Sequence, residues 1–260
     1  MKFPRIPLLL LATLTLAAAG PERAPHPPLA AVPISRMSTG WWHARFDEKQ
    51  KELSRGPVEL VFYGDSITED WEHRGPPAWN DFAPAWQHFY GDRNAVNLGF
   101  KGDATSHLLW RIEHGEADGI HPRAAVVLIG ANNFGLAHWS AADTMTGIAT
   151  VIAELHRRLP QTKLLLLGVL PSIRSPWVTE QTASVNRLLA THDWGGAPVT
   201  YVDLSSLFLR DGRVDPAKFL DPNLTPPDPP LHPTAETQAK IAAAIEPTLA
   251  AMLGDRPKAP

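Results

Sequence analysis

At 260 residues the chain can bury a sizeable core as one large domain or two small ones. Its apolar content of 44% and charged content of 20% are ordinary for a globular protein, and a formal charge of −3 leaves no basic footprint for nucleic acid. The lack of cysteine excludes disulfides, a thiol nucleophile, thiolate metal ligands and a cysteine-linked lipid anchor.

The N-terminus differs in kind from the rest of the chain. Lys2 and Arg5 precede an apolar run at 8–19 that ends in Ala17, Ala18 and Ala19. A short positive region, an apolar run and a small-residue end describe a secretory signal over 1–19. The run is shorter than the roughly 20 apolar residues of a spanning helix. The expected address is therefore export, to a periplasm or outside the cell, with no stable membrane insertion after signal cleavage. Residues 20–40 are proline-rich and read as an extended lead-in or tether.

From residue 41 to about 254 the pattern is that of a single domain. A first helix is expected over 41–53, with Phe46 and Leu53 facing inward. Residues 58–66, V-E-L-V-F-Y-G-D-S, read as a buried strand that stops in a tight turn into a helix. Trp79, Phe82, Trp86 and Phe89 recur at helical spacing, the mark of a core-facing stripe. A second strand at 95–100 leads into a helix from Thr105 to about His114. Further strands are expected at 124–129, 163–170 and 199–204, and further helices at 140–159, 177–191 and 234–253. Strands alternate with helices, and each strand is nearly all apolar. Such alternation predicts an α/β fold with a parallel sheet covered on both faces.

Three consecutive strand ends carry unusual residues: Ser66, then Gly102, then Asn132. In an open α/β sheet such ends converge on one edge, where ligands bind. Each residue type suits acyl transfer. A serine attacks an ester carbonyl when a base accepts its proton. A glycine lets a backbone N–H come close to a reacting oxygen, and an asparagine carboxamide is a further donor for an oxyanion. A base is found in D-P-P-L-H-P at 228–233, a proline-rich loop before the last helix. His232 can titrate near neutrality. Asp228 could orient its ring in the order Ser…Asp…His. Asp65 is expected to hydrogen-bond the turn, Asp103 to cap the next helix, Asn133 to bond neighbouring loops and Trp110 to pack. His107 and His114 lie seven apart without other metal-type ligands.

G-D-S-I at 64–67, Gly102, G-A-N-N at 130–133 and the Asp…His-Pro of 228–233 resemble the four blocks of the SGNH (GDSL) hydrolase superfamily. Within it, L-G-F-K-G-D-A-T-S-H-L-L-W-R-I-E-H-G-E at 98–116 and I-H-P-R-A-A-V-V-L-I-G-A-N-N at 120–133 resemble the platelet-activating factor acetylhydrolase catalytic alpha-subunit branch. The similarity runs over about 58–250. It implies a three-layer α/β/α sandwich, flavodoxin-like, with about five parallel strands. It also implies Ser66 as nucleophile, His232 as base, and an oxyanion hole made of the Ser66 N–H, the Gly102 N–H and the Asn132 side chain, with no metal or cofactor. The family acid usually lies three residues before the histidine, where this chain has Pro229. The acid is then Asp228, four before, or alternatively Asp221.

The function expected from all this is a serine esterase that cleaves short-chain, acetyl-type esters through an acyl-enzyme. For an exported protein the expected substrate is an O-acetylated glycan or another small ester. The alternatives are acyl transfer to a carbohydrate and a non-catalytic glycan-binding member of the same fold. Oligomeric state has no signature in the sequence.

Overall fold

The computed structural model describes residues 26–221, 223 and 230–260. The expected signal segment and Asp228 lie outside the described residues.

Five short parallel strands form the centre: β1 Leu60–Gly64, β2 Ala95–Gly99, β3 Ala124–Leu128, β4 Lys163–Leu167 and β5 Val199–Val202. Their spatial order is β2-β1-β3-β4-β5. Leu60 pairs in register with Ala95 on one side and Ala124 on the other, and Gly64 with Gly99 and Leu128. All of β1 and β3 is buried, as expected for strands covered on both faces. The covering helices are α1 Gly40–Leu53, α2 Ser66–Glu69, α3 Ala83–Tyr90, α4 Thr105–Arg111, α5 Ala131–Gly135, α6 Ala141–Arg158, α7 Pro176–Thr191 and α8 Ala235–Leu253. The α/β/α sandwich is thus the expected one.

The chain runs from β1 outward to β2, then returns to place β3 on the other flank of β1. That reversal opens a crevice at the carboxyl ends of the central strands, the usual ligand position in this topology. Because β1 is flanked by β2 and β3, the residues after β1 stand between those after the other two.

Helix ends arise from local chemistry. Ser140 caps α6 by accepting from the Asp143 N–H, and Ser175 and Thr234 do the same for Val178 and Thr237. Helix α8 ends at Gly254 in the left-handed region, where glycine carries no Cβ penalty. The expected aromatic stripe is core: Phe82 and Phe89 are buried, and Trp86 meets Phe62, Trp71 and Tyr90.

Two features depart from the expectation. The lead-in is no tether from Leu29 onward. Leu29–Ala31 forms a turn of 3-10 helix with Ala30 buried, Thr105 Oγ1 donates to the Ala30 carbonyl at 2.7 Å, and the Ile34 N–H donates to the Ser106 carbonyl. A Cβ on Gly147 of α6 would fall 2.5 Å from the Ala30 oxygen, so this glycine admits the lead-in. A small hairpin, β6 Leu209–Arg210 with β7 Arg213–Val214, also precedes the histidine loop. Its turn is Asp211-Gly212, both at positive φ, the Asp-Gly signature of a two-residue hairpin.

Candidate active site

Strand β1 ends at Gly64 because nothing larger fits. A Cβ there would lie 2.0 Å from Thr68 Oγ1 and 2.6 Å from the Leu128 carbonyl. Asp65 then caps α2, its Oδ1 accepting from the Ile67 N–H at 3.0 Å, as expected from the turn. Ser66 is thereby the first residue of α2, buried at the centre of the crevice. Its Oγ is 2.8 Å from His232 Nε2, across 166 residues of sequence.

His232 is fixed by its backbone. Its carbonyl accepts from the Leu220 N–H at 2.9 Å, Pro233 pairs with Phe219, and Thr234 begins α8. Asp221, the alternative acid, has one carboxylate oxygen engaged locally: Oδ1 accepts from both the backbone N–H and the side-chain amide of Asn223.

Gly102 lies after β2 at φ +76°, a conformation glycine tolerates and other residues resist. Asn132 lies in the first turn of α5, after β3. Its Nδ2 donates to the Asp103 carbonyl at 2.9 Å and lies 3.5 Å from Asp65 Oδ2. The shorter bond anchors the carboxamide to the Gly102 loop, and the longer one ties it to the turn that carries Ser66. Among the described residues, the Ser66 and Gly102 N–H groups find no acceptor in turns, loops or caps. Ser66, Gly102, Asn132 and His232 are thus brought together.

Asp103 does not cap α4, whose N-cap is Ala104. It is instead a fully buried hub. Oδ1 accepts from Arg36 Nη1 at 2.7 Å and Trp42 Nε1 at 2.8 Å, and Oδ2 from Arg111 Nε at 2.9 Å. Arg111, also fully buried, donates to the carbonyls of Gly64 and Leu98, pairs with Glu116, and lies 4.0 Å from the centre of the Phe100 ring. One guanidinium thus holds the ends of β1 and β2 to the acid beside Gly102. Sequence reasoning passes over Arg36 and Arg111, although Arg111 stands inside the family-like block at 98–116.

Burial dominates the electrostatics. It raises the Asp65 carboxyl to about 7, with the Ile67 N–H and His232 pulling the other way. It raises Glu116 to about 7 as well, against the opposing pull of Arg111. Asn133 of α5 bonds not a loop but the first residue of α4, accepting from the Thr105 N–H and donating to its hydroxyl. Trp110 stacks on His114, whose Nδ1 lies 2.7 Å from the Trp110 carbonyl, and His107 accepts from the Ala104 N–H. Among the described residues no three His, Asp or Glu side chains converge as a metal site.

A doubly wound sheet whose central strand presents a serine hydrogen-bonded to a histidine, with an asparagine at the next strand end, defines an SGNH-type serine hydrolase. Residues 62–240 match the GDSL-like lipase/acylhydrolase family, and the chain belongs to it. It is 32% identical over 177 residues to the platelet-activating factor acetylhydrolase IB subunit alpha1 of Homo sapiens, covering 66% of this chain and 69% of that protein. The alpha2 subunit of Rattus norvegicus is 29% identical over 221 residues, covering 83% and 85%. Among solved structures, a GDSL-like lipase from Bacteroides thetaiotaomicron shares the fold at a TM-score of 0.56 and 18% identity, over 80% of this chain and 97% of that one.

Proposed function

We propose that this acylhydrolase cleaves short acyl esters, acetyl above all, through an acyl-enzyme on Ser66, and that it acts on a small ester or an O-acetylated glycan outside the cytoplasm. The observation that carries the reading is the 2.8 Å contact between Ser66 Oγ and His232 Nε2 at the head of the central strand. As Oγ bonds to the ester carbonyl carbon, Nε2 takes its proton. The developing oxyanion is met by the N–H groups of Ser66 and Gly102 and by Asn132 Nδ2. The imidazolium then protonates the departing alcohol. A water, deprotonated by the same Nε2, releases the acid and restores Ser66.

The acetyl preference draws on the acetylhydrolase names of the relatives, and the exported address on the segment at 1–19. Turnover of p-nitrophenyl esters from acetate to octanoate by the wild type and Ser66→Ala tests both chemistry and chain length. Activity that survives in Ser66→Ala removes Ser66 as nucleophile. A rate that rises with chain length removes the short-acyl reading.

A further inference from the structure

Among the described residues, six arginines are withdrawn from full exposure: Arg36, Arg45, Arg93, Arg111, Arg158 and Arg174. Five of them meet a carboxylate within 4 Å, namely Asp103, Glu72, Glu246, Asp103 again and Glu154. Arg174 meets none among the described residues. Its single recorded hydrogen bond is a long one, from Nη2 to the Ala131 carbonyl at 3.5 Å, and its Nε is enclosed without an acceptor. Burial disfavours its charge, and the nearby Asp65 carboxylate favours it. A half-desolvated guanidinium with its Nε enclosed and unpaired is costly to hold, and an anion would offset that cost.

Its position gives this meaning. Arg174 lies in the loop between β4 and α7, on the same sheet edge as Ser66 and Asn132. The guanidinium lies over α5, where a Cβ on Gly135 would fall 1.6 Å from Nη1. Through the Ala131 carbonyl it also contacts the residue before Asn132. Beside it the surface is apolar: Ile173, Leu136 and Trp177 are exposed, and the Trp177 ring meets Phe134 and His138.

We propose that Arg174 is a specificity residue that receives an anionic group, carboxylate or phosphate, on the alcohol portion of the ester, with the apolar part of that alcohol against Ile173 and Trp177. The assignment to the alcohol side rests on the short-acyl reading above, since an acetyl group carries no distal charge. Arginine suits both anions because its planar fork donates two parallel hydrogen bonds.

The test compares methyl 4-acetoxybenzoate, which is neutral, with 4-acetoxybenzoate and 4-acetoxyphenyl phosphate. The wild type is expected to favour at least one anion in kcat/KM by about tenfold or more, the range of a charge-assisted hydrogen bond. Arg174→Gln is expected to abolish that preference, mainly through KM, and Arg174→Lys to retain part of it. Which anion is preferred separates the carboxylate source from the phosphate one. Wild type with no anion preference, or Arg174→Gln losing equally on all three esters, overturns the proposal and leaves Arg174 as a brace for α5. A second readout needs no turnover: calorimetric binding of 4-hydroxybenzoate and 4-hydroxyphenyl phosphate to Ser66→Ala, with and without Arg174→Gln. Arg174-dependent binding, together with a wild type that hydrolyses no acetyl ester, would sink the esterase reading and keep the anion site. Binding indifferent to Arg174 would sink the anion site alone.

Discussion

Replacing Arg111 with methionine isolates the charge hub beneath the site. The side chains are similar in length, so little volume is lost, but the variant strips Asp103 and Glu116 of a fully buried partner and the Gly64 and Leu98 carbonyls of a donor. Breaking a buried pair by removing one member costs about 3–5 kcal/mol. Two features place this case near the lower end. Asp103 keeps Arg36 and Trp42, and Glu116, already at about 7, can take up a proton. A loss of about 3 kcal/mol lowers the melting temperature by about 6–12 °C in a domain of this size. The pH dependence is the sharper signature. In the wild type, Glu116 has a folded pKa above its unfolded value, so stability falls as pH rises from about 4 to 7 and levels off above. Arg111 pulls that folded pKa down, so removing it raises the pKa further. In the variant the decline therefore continues past pH 7. Urea unfolding at pH 6 and pH 9 would show a larger gap between the two proteins at pH 9. A gap under about 1 kcal/mol, or one equal at both pH values, refutes the account.

Three further outcomes rest on the same geometry. Asn132→Ala should lower kcat about 10²–10³-fold with a much smaller change in KM, since an oxyanion donor acts on charge that develops only in the transition state; steady-state kinetics on p-nitrophenyl acetate reads this directly. Asp65 has a raised folded pKa, so it too withdraws stability as pH rises from about 4 to 7, by on the order of 4 kcal/mol. Asp65→Asn should retain the cap on Ile67 and flatten the stability curve in that window, as chemical unfolding at pH 4.5 and 7.5 would show. Asp228→Ala should cut kcat at least tenfold, whereas Asp221→Ala should leave it within about twofold, because the Asp221 carboxylate is engaged by Asn223. A larger loss at Asp221 would reverse the assignment of the acid.

Much of this protein was legible residue by residue. Apolar runs and helical spacing located the five strands of the sheet and most of the helices, because those periods are local and each segment carries its own. The blocks at 64–67, 102 and 130–133 were legible for the same reason: each is a strand end leading into a turn that only particular residues can make. Gly64 illustrates it, since no Cβ fits above Thr68.

What the chain could not reveal locally is how its segments choose partners. Five apolar strands can be permuted without changing their patterning, and only the packed sheet puts β1 between β2 and β3, and so Ser66 between Gly102 and Asn132. Charge pairing is equally non-local. Asp103 resembled a helix cap in sequence and proved to be the acceptor for Arg36, Trp42 and Arg111, side chains drawn from the lead-in, α1 and α4. The proline-rich lead-in resembled a tether because its contact with the domain depends on Gly147, a distant glycine with no signature of its own. Sequence alone determined which chemical groups this hydrolase possesses and which elements carry them. The tertiary structure decided which groups meet, and left Arg174 against α5, on the sheet edge that carries Ser66, without a carboxylate of its own among the described residues, because proximity and desolvation arise only once the sheet has closed its crevice.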